Sequence, residues 1–231
     1  QISESVNYSF GKKSGESKIY AENGLLEKVV NYIGGVKFGV YKEYISGVES
    51  FSCFYINDTL SGAFKENFIN DEGETYATAS GFMKKGLVDG KYIGYYVKNR
   101  DTMFVKTFKN ERPVGVWRYF DDKGQLEQQV KFNNGHAEVQ EFYSNNVLFE
   151  RLKMTKSTND YWYFTYQLFE GKEQITAEFR VPAESLEPNT SEFNVFYRET
   201  GLNDDRTVVD ASLKFGPYKY ESEYISFEGD R

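Results

Sequence analysis

The stretch Glu111–Phe132, ERPVGVWRYFDDKGQLEQQVKF, decides the fold of this chain. It opens on a turn residue, Glu111, with Gly115 four positions on, an aromatic at Trp117 and another at Phe120. After the polar turn at Lys123-Gly124, Leu126, Gln128, Val130 and Phe132 follow at intervals of two. Residues an even number apart share one face of a strand. The stretch therefore reads as strand, tight turn, strand, which is a β-hairpin.

The same phrase recurs along the chain. It reads Gly35…Gly39-Val-Tyr41…Tyr44, then Asp58…Gly62-Ala-Phe64…Asn67-Phe68, then Gly86…Gly90-Lys-Tyr92…Tyr95. A weaker first copy runs Gly15…Tyr20, and a degraded last copy runs Glu138…Tyr143 without the opening glycine. The openings at 15, 39, 62, 90, 115 and 138 are spaced 24, 23, 28, 25 and 23 residues. Near-equal periods of this length mark a repeat architecture. The second strands repeat too: Leu26, Lys28, Val30 and Tyr32 after Gly24, and Leu148, Glu150, Leu152 and Met154 after Asn146. Gly47, Asp71-Glu72-Gly73, Asn99 and Asn133-Asn134-Gly135 supply turn chemistry between them. Six hairpin units are predicted, at 15–37, 38–60, 61–88, 89–113, 114–136 and 137–154.

Composition agrees. The 231 residues include 19 Tyr, 20 Phe and 2 Trp, against 11 Leu and 8 Ala. Aromatics favour a pleated, half-buried surface, whereas Ala and Leu favour helix. The expected class is all-β: tandem hairpins forming an extended, curved antiparallel sheet with a C-terminal β segment or cap. The formal charge of −7 argues against nucleic acid and anionic membrane as partners. No stretch free of charge exceeds nine residues, as at Tyr161–Phe169, so no transmembrane segment is predicted.

These repeats resemble the MORN-repeat family, and more closely its bacterial variant, in which a Gly-x-aromatic-x-x-aromatic strand alternates with an Asn-Gly turn. The resemblance covers residues 15 to 154. It implies a row of stacked hairpins, and a role as an interaction module. Bacterial relatives often carry an antitoxin-like label. The second copy departs from the pattern, with Asn67 in the place of an aromatic.

A composition shift falls near residue 155. Residues 1–154 carry 20 basic and 20 acidic side chains, while 155–231 carry 8 and 15. The predicted division is a repeat region, 1–154, and an acidic C-terminal β segment, 155–231, joined at Lys156–Asp160. Alternation at Ile175–Val181, Val209–Phe215 and Tyr218–Tyr224 marks strands in the second part. The unbroken apolar run Tyr161–Phe169 suggests a strand covered on both faces.

Catalytic chemistry finds little purchase. One Cys and one His fall short of the four ligands of a structural zinc site. His136, beside a turn, has no nucleophile or orienting acid at a recognisable spacing. Cys53, within Phe51-Ser-Cys-Phe-Tyr55, reads as a small buried hydrophobe. The pairs Asp71-Glu72, Asp121-Asp122 and Asp204-Asp205 fall in predicted turns, and Asn203–Arg206 lacks the ligand alternation of a calcium loop. Gly34-Gly35-Val-Lys-Phe-Gly39 mimics a phosphate loop but recurs at repeat boundaries and precedes no helix. Neither a metal nor a cofactor is expected, and no enzyme activity.

The aromatic rows carry the functional expectation. Tyr41, Phe64, Tyr92 and Trp117 occupy one register position, and Tyr44, Tyr95 and Phe120 another, nominally on the opposite face. Either row is core, or an exposed row is a platform for a protein strand or a glycan. The expected function is a protein-interaction or scaffold module, with a glycan-binding or toxin-neutralising role as the alternative. The chain opens on Gln1 rather than Met; a removed signal peptide or trimming would account for it. Periplasmic, secreted or cell-surface location is the expectation, with the cytoplasm the alternative.

Overall fold

The computed structural model describes residues 3–133, 135–170, 173–182, 196–198, 211–215, 218–222 and 227–228. The expected features at Val209, Asp204-Asp205, Asn203–Arg206 and Tyr224 lie outside the described residues. Among those described, every regular element is a β-strand. The chain forms two compact units, Gln1–Glu111 with Phe120–Gly124, and Arg112–Tyr119 with Gln125–Arg231.

The first unit is an antiparallel meander. Its strands are β1 (Glu4–Ser9), β2 (Lys12–Tyr20), β3 (Leu26–Ile33), β4 (Val36–Ile45) and β5 (Val48–Ile56). They continue as β6 (Thr59–Ile69), β7 (Thr75–Lys84), the two-residue β8 (Leu87–Val88), β9 (Gly90–Tyr96) and β10 (Thr102–Lys109). Each pairs with its successor, except that β7 pairs with both β8 and β9.

The second unit holds β11 (Arg112–Pro113), β12 (Gly115–Phe120) but for its last residue, β13 (Leu126–Asn133), β14 (His136–Ser144), β15 (Val147–Ser157), β16 (Tyr161–Glu170) and β17 (Glu173–Pro182). From β13 to β17 each strand pairs antiparallel with the next. Three further strands, β18 (Phe196–Arg198), β19 (Ala211–Phe215) and β20 (Tyr218–Ser222), form a separate antiparallel sheet. The short β21 (Phe227–Glu228) adds to β17.

The segment Lys156–Asp160, expected as a joint, is the end of β15 and the hairpin turn that leads into β16. The Thr158 N–H donates to the Tyr161 carbonyl at 2.8 Å, and the ladder continues through β16 and β17. The change in composition at 155 thus marks no break in the sheet. Along Tyr161–Phe169, Phe164 and Tyr166 are buried and their neighbours Tyr163, Thr165 and Gln167 half-buried.

The repeat's opening glycine has a mechanical role. On β3 and β4, Val30 opposes Tyr41 and Tyr32 opposes Lys37, so two steps on β3 face four on β4. Gly39, at φ +102°, lies in that wide bulge. Gly15 and Gly62, at +79° and +91°, lie in bulges of the same width on β2 and β6. An L side chain in this region costs about 1–2 kcal/mol, which glycine avoids. Where Glu138 replaces the glycine, the bulge shrinks: Lys131 opposes Val139 and Phe132 opposes Ala137, one step against two.

Two residues after the opening, the side chain points into the core. Ser17, Tyr41, Phe64, Trp117 and Gln140 hold this position and are 1, 8, 5, 1 and 3% exposed. Register decides burial here, since a serine and a glutamine sit as deep as the rings. In the first unit the rings form a continuous chain: Tyr55–Tyr41 at 5.1 Å, Tyr41–Phe51 at 6.3 Å, Phe51–Phe64 at 5.7 Å, Phe64–Tyr92 at 5.4 Å and Tyr92–Phe104 at 4.9 Å. In the second, Trp117 packs on Phe132 at 4.5 Å. Gly81 and Gly94 lack positive φ and serve a different need. A Cβ would stand 2.6 Å from the Phe64 ring at Gly81, and 2.5 Å from the Phe104 ring at Gly94.

Two substitutions test this packing. Gly81→Ala should destabilise the chain by about 1–3 kcal/mol through overpacking against Phe64, read as a lower urea midpoint. Trp117→Ala should cost about 3–5 kcal/mol, well above Tyr20→Ala, whose ring is only half-buried.

Candidate interaction surface

Strand alternation separates the two aromatic rows. On β4, Tyr41 and Glu43 share the inner face, where the Tyr41 hydroxyl donates to the Glu43 carboxylate. On β6 and β9, the Tyr92 hydroxyl likewise donates to Glu66. Burial, reinforced by these carboxylates, pushes both phenols well above their ordinary pKa. Tyr41, Phe64 and Trp117 are therefore core, Tyr92 is half-buried among rings, and none of the four offers a free ring face. Tyr41, Phe64 and Tyr92 meet neighbouring rings in the first unit, and Trp117 meets Phe132 in the second. Tyr44, Tyr95 and Phe120 hold the second position; Tyr44 and Phe120 are half-buried, and Tyr95 is 37% exposed. Asn67, which replaces the aromatic there, donates from Nδ2 to the Glu49 carbonyl at 2.8 Å.

More exposed apolar side chains lie elsewhere on the outer face of the first unit. Phe54 and Phe82 are each 50% exposed. Their neighbours fix the face: Cys53, before Phe54, and Met83, after Phe82, meet inside with sulfurs 3.9 Å apart. Phe54 opposes Ser61 and Phe82 opposes Ala63, so two small side chains of β6 lie between the rings. On the same face, the cross-strand row Lys42, Ser52, Lys65, Ser80 runs alongside. The alternation of Phe51, Cys53 and Tyr55 against Phe54 is the sequence signal for this surface. The dominant aromatic spacing draws attention away from it.

The second unit's outer face carries a polar ladder. Gln129 Nε2 donates to Glu141, and also to the Tyr143 hydroxyl at 3.0 Å. Tyr143 donates to Glu141 Oε2 at 2.9 Å, and Arg151 Nε donates to Glu141 Oε1 at 2.7 Å. Arg151 reaches on to Gln167 at 3.4 Å. Burial works to raise the Glu141 carboxyl, but the bonds from Gln129, Arg151 and Tyr143 prevail and hold it below the usual range. Burial and the Glu141 charge push the Tyr143 phenol to about 12. Glu150, on the opposite face between Phe142 and Leu168, has its pKa raised to about 7 by burial alone.

Cys53 is 2% exposed, directs its thiol at the Ser61 carbonyl at 3.8 Å, and has its pKa raised by burial. His136 is exposed at the start of β14, opposite Asn133. Asp71-Glu72 lies in the turn closed by Gly73 N–H on the Asn70 carbonyl, and Asp121 accepts from the Lys123 N–H at 2.9 Å. Gly34-Gly35 is a two-residue hairpin turn with φ +60° and +91°. Among the described residues, no group of three or more His, Cys, Asp or Glu side chains is placed to hold a metal ion. No helix there is long and apolar enough to cross a membrane. No protein-family model matches the chain, and no curated protein matches it either.

Glu150 sets a pH dependence. Its folded pKa of about 7 exceeds the unfolded carboxylate value of about 4.3. Between the two the folded chain binds more protons, so this group's contribution falls as pH rises through the window. Glu150→Gln should flatten the melting profile between about pH 5 and pH 8 and be more stable than the parent at the upper end.

Proposed function

We propose that the chain is a non-catalytic repeat module of the bacterial MORN-like type that binds a protein partner, and that it is exported. The observation that carries this reading is the outer face of the first unit, where Phe54 and Phe82 stand half-exposed on β5 and β7. Exposed apolar side chains rimmed by polar residues mark interaction sites, and aromatic anchors dominate interface energetics. The Lys42–Ser52–Lys65–Ser80 row beside them suits a partner with an apolar anchor and an acidic rim. The repeat spacing supports the family, and export belongs to the same proposal, to be read by cell fractionation.

A pull-down from the native organism compares the parent chain with a Phe54→Ser, Phe82→Ser double variant. Surface changes of this kind should alter stability by no more than about 0.5 kcal/mol each, so melting checks that the variant folds. A protein retained by the parent and lost by the folded variant is the expected result. Retention by both, or capture of a glycan rather than a protein on an array, overturns it.

A further inference from the structure

We propose that the seam between β14 and β15 binds one internal water molecule, held by the side chain of Gln140 and the main chain of Glu138. The site is separate from the Phe54–Phe82 surface and does not rest on the interaction-module reading.

Three observations meet there. The first is a side chain. Gln140 holds the inward repeat position that Tyr41, Phe64 and Trp117 hold in other copies, and it is 3% exposed. Its cross-strand neighbours on that face are Val130 on β13 and Leu152 on β15. Both are buried and apolar, so neither side chain offers a donor. Gln140 Oε1 is buried and has no hydrogen-bond partner among the described residues. In native structures such a group is met by protein or by ordered water.

The second is the backbone. Lys131 opposes Val139 and Phe132 opposes Ala137, so Glu138 is the extra residue of the bulge and has no counterpart on β13. On its other side, the β14–β15 ladder of the described residues runs from Ser144–Val147 to Val139–Lys153 and ends there. Both strands continue, β14 back to His136 and β15 on to Ser157. Glu138 therefore stands outside the registered pairs on either side, and a bulge disrupts the ladder at such a residue. Its carboxylate is engaged elsewhere: it accepts from Asn133 Nδ2 at 2.6 Å and lies 3.7 Å from Lys131 Nζ.

The third is space. A cavity of about 10 Å³ lies where the two strands part. It is lined by Ala137, Glu138 and Gln140 on β14, Leu152 and Met154 on β15, and Phe164 on β16. That is about the room one water molecule needs. Glutamine is smaller than the rings of Tyr41, Phe64 and Trp117, so the room arises where the repeat loses its aromatic.

One water answers all three. It donates to Gln140 Oε1 and bonds to the Glu138 main chain, which gives it the two to four polar partners that an internal water needs. Leu152, Met154 and Phe164 wall the rest of the site with apolar surface.

The test is water–amide cross-relaxation in the NMR spectrum of the intact, nitrogen-labelled 231-residue chain. A long-lived water contact is expected at the Glu138 amide and at the Gln140 side-chain amide. Gln140→Met keeps nearly the same volume and removes the acceptor, and the contact at Glu138 should be lost in it. Absence of the contact in the parent overturns the proposal, and this measurement decides the matter even if the variant does not fold. A folded variant that keeps the Glu138 contact overturns it as well. So does a crystal structure in which Gln140 Oε1 accepts from a protein donor and the cavity is closed.

Discussion

A left-handed glycine inside a wide bulge is the constraint from which the rest of the repeat follows. Gly15, Gly39 and Gly62 each let their strand take two extra residues against its neighbour. That surplus bends the strand and directs the next inward side chain at the ring of an adjacent strand. Core packing depends on it: the chain of rings from Tyr55 to Phe104 is assembled from positions set by bulges. Such ring pairs contribute about 0.5–1.5 kcal/mol each beyond the area they bury. The last copy shows the converse. With Glu138 in the glycine's place the bulge is narrower, and the inward residue is Gln140 rather than an aromatic.

Much of this was legible in the sequence because turns and alternation are local. The glycine spacing, the even-numbered apolar positions and the turn residues of Gly34-Gly35 and Asn145-Asn146 carry the hairpins by themselves. Which aromatic row is buried is not local information. Tyr41 and Tyr44 are the same residue type three positions apart, and only the neighbouring strands decide between them. Serine and glutamine are surface residue types, yet register buries Ser17 and Gln140. Phenylalanine is a core residue type, yet the alternation that buries Cys53 turns Phe54 and Phe82 outward. The composition shift at residue 155 is real, but a hairpin turn can carry any charge, and the ladder from β15 to β17 passes through it.

The two faces treat carboxylates differently. Glu141 is held ionised by Gln129, Tyr143 and Arg151 on the polar face, while Glu150, one strand away on the apolar face, is driven toward its neutral form. Both belong to strands of identical geometry, so the contrast comes from what each face supplies: donors on one side, apolar side chains on the other. Breaking the Glu141–Arg151 pair would leave a partly buried charge without its cationic partner, which is costlier than the pair is stabilising. Neutralising Glu150 removes a desolvated charge and leaves the surrounding packing in place.

Cys53 has a practical consequence. It is the chain's only thiol, and it faces inward beside Met83 with almost no contact with solvent. A thiol reagent can reach it only when β5 parts from its neighbours, so the modification rate counts openings of one identified hairpin against the rest of the molecule. The chain thus carries its own clock for local unfolding, placed by the repeat at the centre of the first unit's ring cluster. By the same geometry, a dye attached there reports on an opened core, and surface labelling requires a cysteine introduced elsewhere.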